Sequence, residues 1–229
     1  PDGWRMLAGD ETGWLLGDYI LSQIDPGEVS EHTVVASSVV SSRMLARIAA
    51  AHGARHVETL TGFKWLSRAD ADLPGHTLVY AYEEAIGYCV DPSAVRDKDG
   101  ISTAVLFCDM VVALREQGRT VLDALDGLAR MHGVHTTAAV SRPVTGADEA
   151  AEVMTRLRSK PPSKLCGLDI RMTDLAAVQP YERRTDAVIL EGGDGDTAVR
   201  VAVRPSGTEP RVKSYIEVRR DCAAGNVDA

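Results

Sequence analysis

The 229 residues are 45% hydrophobic and 25% charged, a balance that excludes a disordered tail and supports one large domain or two ordinary ones. Lys and Arg number 25 against 33 Asp and Glu, a formal net charge of -8, and 5% of residues are aromatic. Nucleic-acid binding needs a basic stripe or stacking rings, so it does not fit, and no apolar run reaches membrane-span length.

The chain opens Pro1-Asp2-Gly3 without an initiator Met, which reads as a fragment or a processed product. Asp10 stands where a helix N-cap belongs, and Trp14, Leu15, Tyr19 and Ile20 follow at near-helical spacing, predicting a helix that stops before Pro26-Gly27. HTVVASSVV predicts a strand, SRMLARIAAAHG a helix closed by Gly53, and RHVET a second strand. Strand, helix and strand within about 30 residues predict a parallel pair. LVYAYE, Leu78 to Glu83, predicts another strand that runs directly into EAIGY.

After RDKDG, the segment ISTAVLFCDMVVALREQ predicts a helix closed by Gly118, apolar on most sides and therefore buried on most sides. Thr120 caps VLDALDGLARM, which ends at Gly133, and the domain boundary is placed there: residues 1–133, then 134–229. The second part has a different rhythm: strand VHTTAAV, helix ADEAAEVMTRLRS, the breaker Pro161-Pro162 and strand KLCGLDI. A hairpin follows, with DAVILEGG and DTAVRVAVR flanking Gly193-Asp194-Gly195-Asp196. Strands outnumber helices here, which predicts a small α+β domain.

Four loops carry possible chemistry. In RPSGTEPRVKSYIE, alternation puts Arg204 and Lys213 where they flank one loop, and Ser206, Gly207 and Thr208 offer two hydroxyls and backbone N–H groups without bulk. Local chemistry leaves a phosphate nest and a plain hairpin with solvated arginines equally open. Leu60-Thr61-Gly62-Phe63-Lys64 follows a parallel strand, where α/β proteins place ligands, but it is also an ordinary turn needing Gly62. Glu83 and Glu84 end a strand and suit sugar hydroxyls or acid–base work, or simple exposure. Lys98 is a helix-start charge or a point-charge partner for phosphate.

Other residues are set aside. Asp70-Ala71-Asp72 and Asp194-Gly195-Asp196 lack a third carboxylate and read as turns, and His132 and His135 read as surface or capping histidines. Cys89, Cys108, Cys166 and Cys222 form no CxxC pair, so reduced thiols in the cytoplasm are the expectation. No signal-peptide core opens the chain.

Together, and in order, these loops resemble those of the α-D-phosphohexomutase superfamily, the phosphoglucomutases and phosphomannomutases. GDETGWLLGDYIL is similar to the opening of the third domain, ETLTGFKW to its TPTGFK loop, and YEEAIGY to its GEES or GEMSG sugar loop. RDKDG follows as in the family, and RPSGTEPRVKSYIE resembles the phosphate loop of the fourth domain. EEAIGY and ETLTGFKW look closest to the phosphoglucomutases with phosphopentomutase activity. The likeness covers essentially the whole chain. It implies an α/β/α domain III with a mixed, partly parallel sheet, then a smaller α+β domain IV of the TATA-box-binding-protein-like type.

The resemblance also implies roles. A phosphoserine on the first domain passes its phosphoryl group to a phosphosugar, a bisphosphate turns round, and the other phosphate returns to the serine. Mg2+ held by three aspartates on the second domain supports the transfer, and a glucose 1,6-bisphosphate-type activator primes it. By motif, Glu83, with Glu84 beside it, binds sugar hydroxyls, Thr61 and Gly62 line the pocket, and Lys98 lies near the transferring phosphate. Arg204, Ser206, Gly207, Thr208 and Lys213 hold the phosphate that does not react. Ala85 replaces the family's loop serine, removing one hydroxyl contact and leaving glucose, mannose and pentose open.

Neither the TASHNP-type serine loop nor the DGDADR-type metal loop occurs in the sequence, nor does the family's closing helix. The expectation is therefore a mutase fragment whose partners are a phosphosugar and the missing domains I and II, inactive alone. Exposed apolar surface is expected where those domains pack. The other reading is a non-catalytic phosphosugar-binding or subunit-docking module.

Overall fold

The computed structural model describes residues 4–25, 27–178 and 184–222. They fall into two compact units, within residues 4–132 and 133–222. Pro26 and the terminal Val227-Asp228-Ala229 lie outside the described residues.

The first unit begins with α1 (Gly9–Gln23), followed by β1 (Thr33–Ser38), α2 (Met44–His52), β2 (Arg55–Thr59), α3 (Phe63–Leu66), β3 (Thr77–Glu83) and β4 (Gly87–Cys89). β1 pairs in parallel with β2 and β3, as the strand–helix–strand pattern predicts, and β4 returns antiparallel to β3, giving the order β2-β1-β3-β4. Every residue of β1 is buried, because a central parallel strand between helical layers has no solvent face. On one face Val35, Tyr80, Tyr82 and Tyr88 pack against α1, α2 and two later helices, α4 (Gly100–Glu116) and α5 (Val121–His132). On the other, Phe63 and Leu66 of α3 cover Val34, Ala36, Leu78 and Ala81. No helix of the described residues is long and apolar enough to cross a membrane.

Two expectations for this unit need correction. Asp10 is not the cap of α1: Ala8 is, with its N–H donating to Glu11 Oε2 at 2.8 Å. Asp10 instead sits 5% exposed in the first turn, accepting from Tyr82 OH at 2.9 Å and from the Ser42 N–H at 2.9 Å. A buried carboxylate with such donors ties α1 to the sheet. Nor is α4 buried on most sides. Met110 and Leu114 face the core, whereas Ile101, Val105 and Val112 are 82%, 67% and 55% exposed. A helix packed on one side of a sheet has one covered face, whatever its composition.

The Ser37 hydroxyl lies 2.8 Å from His56 Nε2, linking β1 to β2. Burial first, and the nearby charge of Arg43 second, pushes the His56 pKa down from 6.5 to about 4. The unfolded chain therefore takes up this proton first as pH falls, so stability is lost between pH 6.5 and about 4, by up to roughly 3 kcal/mol. Urea unfolding at pH 7 and near pH 4 is expected to show a larger acid loss for the wild type than for His56→Gln. Equal losses would exclude His56 as the titrating group.

The second unit contains β5 (Val134–Pro143), α6 (Ala147–Ser159), β6 (Lys164–Leu165), β7 (Leu168–Asp174), β8 (Val188–Gly193), β9 (Thr197–Pro205) and β10 (Arg211–Arg220). The strands form one antiparallel sheet, β5-β10-β9-β8-β7-β6, and α6 buries Ala150 and Met154 against Val188, Leu190, Val203 and Val212. KLCGLDI is a hairpin and not one strand. Cys166 and Gly167, at φ 49 and 86, form a turn of two left-handed residues, whose twist matches that of paired strands. Of the two expectations for His132 and His135, surface or capping, exposure fails, since they are 7% and 8% exposed; His132 stands in the last turn of α5. Across β5 and β10, His135 Nδ1 lies 2.8 Å from Glu217 Oε1, the partner a buried imidazole needs.

Candidate functional site

The parallel strands of the first unit end on one edge, and there the topology gathers the loops after β1, β2 and β3. Glu83 is the last residue of β3 and Gly62 the N-cap of α3, and the Gly62 N–H lies near enough to the Glu83 carboxylate to favour its charged form. Gly62 adopts φ 105, a conformation side-chain-bearing residues avoid, which aims this N–H inward. Lys98 completes the group. Its Nζ lies 4.7 Å from the Phe63 ring centroid and 3.1 Å from Asp97 Oδ1, and its charge acts on Glu83. A Cβ on Gly87 would come within 2.8 Å of both Glu83 Cγ and Lys98 Cδ, so glycine keeps a slot for the two side chains.

Burial first, and the neighbouring Glu84 second, hold the Glu83 carboxyl above its ordinary pKa of 4.5, against the opposing pull of Lys98 and the Gly62 N–H. A half-buried carboxylate of this kind is a strong acceptor for neutral hydroxyl donors. Thr61 is half-buried beside Gly62. The structure thus brings Gly62, Glu83 and Lys98 together.

Glu84 differs from its neighbour. Its Oε2 accepts from Ser41 Oγ at 3.0 Å and from Ser38 Oγ at 3.2 Å, and its N–H donates to Ser41 Oγ at 3.1 Å. Ser38 ends β1 and Ser41 lies in the loop after it, residues the sequence reading passed over. The available signal was SSVVSS, four hydroxyls around two valines where an apolar strand ends.

In the second unit, Arg204 and Lys213 are direct cross-strand partners at the mouth of the β9–β10 loop. The Ser206 N–H is used within the loop, donating to the Arg211 carbonyl at 2.8 Å. The N–H groups of Gly207 and Thr208 make no hydrogen bond among the described residues, and both residues are exposed. Gly207 is not at positive φ, and a Cβ there would meet nothing within 4 Å. Neither conformation nor packing requires this glycine; bare backbone open to an incoming group is what remains. Glu209 Oε2 lies 3.9 Å from both Arg211 Nε and Lys213 Nζ, the outer limit of ion pairing.

Residues 8–131 match the family described as "Phosphoglucomutase/phosphomannomutase, alpha/beta/alpha domain III". The chain belongs to this phosphoglucomutase/phosphomannomutase family. It is 35% identical to the "Probable phosphomannomutase" of Haemophilus influenzae, over 94% of this chain and 41% of that protein. It is 32% identical to the "Phosphopentomutase" of Pongo abelii, over 98% of this chain and 40% of that protein. Its fold matches a phosphoglucomutase/phosphomannomutase family protein from Burkholderia thailandensis with TM-score 0.58 at 16% identity, covering 95% of this chain and 39% of that one. The chain thus spans about two fifths of the length of the curated relatives it matches.

Proposed function

We propose that this chain is the sugar- and phosphate-recognising part of a phosphosugar mutase that interconverts sugar 1-phosphates and 6-phosphates through a bisphosphate. One observation carries the reading: the half-buried Glu83 carboxylate, under the influence of the Gly62 N–H and of Lys98, at the edge where parallel strands end. Glu83 accepts from sugar hydroxyls, Thr61 and Gly62 line the pocket, and Lys98 faces the transferring phosphate. Arg204, Ser206, Gly207, Thr208 and Lys213 anchor the distal phosphate. Binding energy from that remote anchor orients the reacting end, which matters because phosphoryl transfer is mostly positioning and charge stabilisation.

The seryl nucleophile and the Mg2+ ligands belong, in this reading, to domains I and II outside these residues. Among the described residues no three His, Cys, Asp or Glu side chains gather as a metal site, and no role assigned to this chain runs through a metal. Calorimetric titration of the chain with glucose 1,6-bisphosphate tests the proposal. Binding without turnover of glucose 1-phosphate is expected, weakened about tenfold in Glu83→Gln. No binding at millimolar ligand, or turnover by the chain alone, would overturn it.

A further inference from the structure

We propose that Ser41, supported by Ser38, is a positioning residue for Glu83, an inference that rests on Glu83 being the sugar ligand. Three oxygens meet behind the β3–β4 turn: Ser38 Oγ and Ser41 Oγ lie 2.8 Å apart, at 3.2 and 3.0 Å from Glu84 Oε2. Two hydroxyl protons serve these three contacts, and an ionised carboxylate donates none. The two protons are shared among the two serine oxygens and Glu84 Oε2, with either serine able to donate to the other. The remaining capacity of Ser41 Oγ accepts the Glu84 N–H at 3.1 Å. One hydroxyl thus holds both the main chain and the side chain of the residue directly after Glu83.

The serines are 1% and 3% exposed, so their bonds to Glu84 are shielded from bulk solvent. The start of α1 also presses on the same turn, because a Cβ on Gly9 would lie 2.0 Å from the Glu84 carbonyl oxygen. Between these contacts Ile86 is held at φ 63 while 77% exposed. A β-branched residue in this region costs on the order of 1–3 kcal/mol and persists only where its surroundings impose it. The three-residue loop between the paired Glu83 and Gly87 calls for a left-handed last residue, and the Ser41–Glu84 contacts clamp that loop in place. Glu84 is thereby occupied within the chain, and Glu83 is the carboxylate fixed towards Gly62 and Lys98. Without the clamp the turn relaxes and Glu83 leaves that direction.

The test compares, by calorimetry on the full chain, glucose 1,6-bisphosphate with hexane-1,6-diyl bisphosphate, which carries both phosphates but no sugar hydroxyls. The wild type is expected to prefer the sugar, and Ser41→Ala to reduce that preference about tenfold while leaving affinity for the ringless compound unchanged. Ser41→Thr, which keeps the hydroxyl, is expected to restore the preference, and Glu84→Gln to lose less than Ser41→Ala. Should Ser41→Ala fail to fold, Ser38→Ala serves in its place, with a loss of about threefold expected. A preference that survives in the folded serine variant, or a larger loss in Glu84→Gln, would overturn the inference alone. A wild type without any preference would overturn the reading of Glu83 and this inference with it.

Discussion

Arg204→Ala is expected to weaken binding of glucose 1,6-bisphosphate to this chain by about 30-fold or more, whereas Lys160→Ala changes it less than about twofold. The two substitutions remove the same formal charge. Arg204 differs in place: it faces Lys213 across the β9–β10 pair, beside the bare backbone of Gly207 and Thr208. A guanidinium presents a planar fork to phosphate oxygens, and its hydrogen bonds to a doubly charged group are charge-assisted. Lys160 is an exposed residue at the end of α6, outside every loop considered above. Equal effects in calorimetry at matched ionic strength would show that net charge alone attracts the ligand, and the β9–β10 loop would lose its assignment as the anchor.

Much of the fold is legible in the sequence because its signals are local. The parallel pair of β1 and β2 follows from an apolar strand, an amphipathic helix closed by Gly53 and a second strand in quick succession. The β8–β9 hairpin follows from alternation around a Gly-Asp turn. Where the reading departs from the structure, the deciding contact is distant. Asp10 reads as a cap because nothing near it in sequence reveals Tyr82, 72 positions on, as its partner. His135 reads as a surface group because Glu217 arrives from the other end of the unit, 82 positions on. The composition of α4 gives no sign that Ile101, Val105 and Val112 face away from the core.

The candidate site shows the same division. Thr61, Gly62, Glu83 and Lys98 are legible as loops that resemble those of a family; the parallel topology explains why Gly62 and Glu83 share an edge, and Lys98 joins them through the segment after antiparallel β4, where the Asp99 N–H donates to the Tyr88 carbonyl. The different tasks of Glu83 and Glu84 are not legible. Adjacent residues at a strand end point in opposite directions, and which one turns inward to the serines depends on a loop more than 40 positions earlier. Serines carry no distinctive chemistry in a sequence, and Ser38 and Ser41 gain significance only from the carboxylate they hold.

Gly9→Ala is expected to destabilise the first unit by about 3 kcal/mol and to abolish its preference for the sugar bisphosphate, although alanine is the better helix former. Gly9 and Gly100 make an informative pair, since each is the first residue of a helix, α1 and α4. At Gly100 a Cβ meets nothing within 4 Å, so alanine there should stabilise, by up to about 1 kcal/mol. At Gly9 a Cβ would stand 2.0 Å from the Glu84 carbonyl oxygen, 2.9 Å from its carbon and 3.3 Å from the Ile86 nitrogen. These are backbone atoms, with no flexible side chain to swing aside. Either α1 must lift from the tyrosines that bond Gly9, Asp10 and Gly13, or the turn that carries Glu84 must move. Both routes disturb Glu83, so urea unfolding and ligand calorimetry should report losses together. The opposite signs at Gly9 and Gly100 distinguish close packing from helix propensity, and a Gly9→Ala chain as stable as the wild type would show that α1 does not brace the sugar loop.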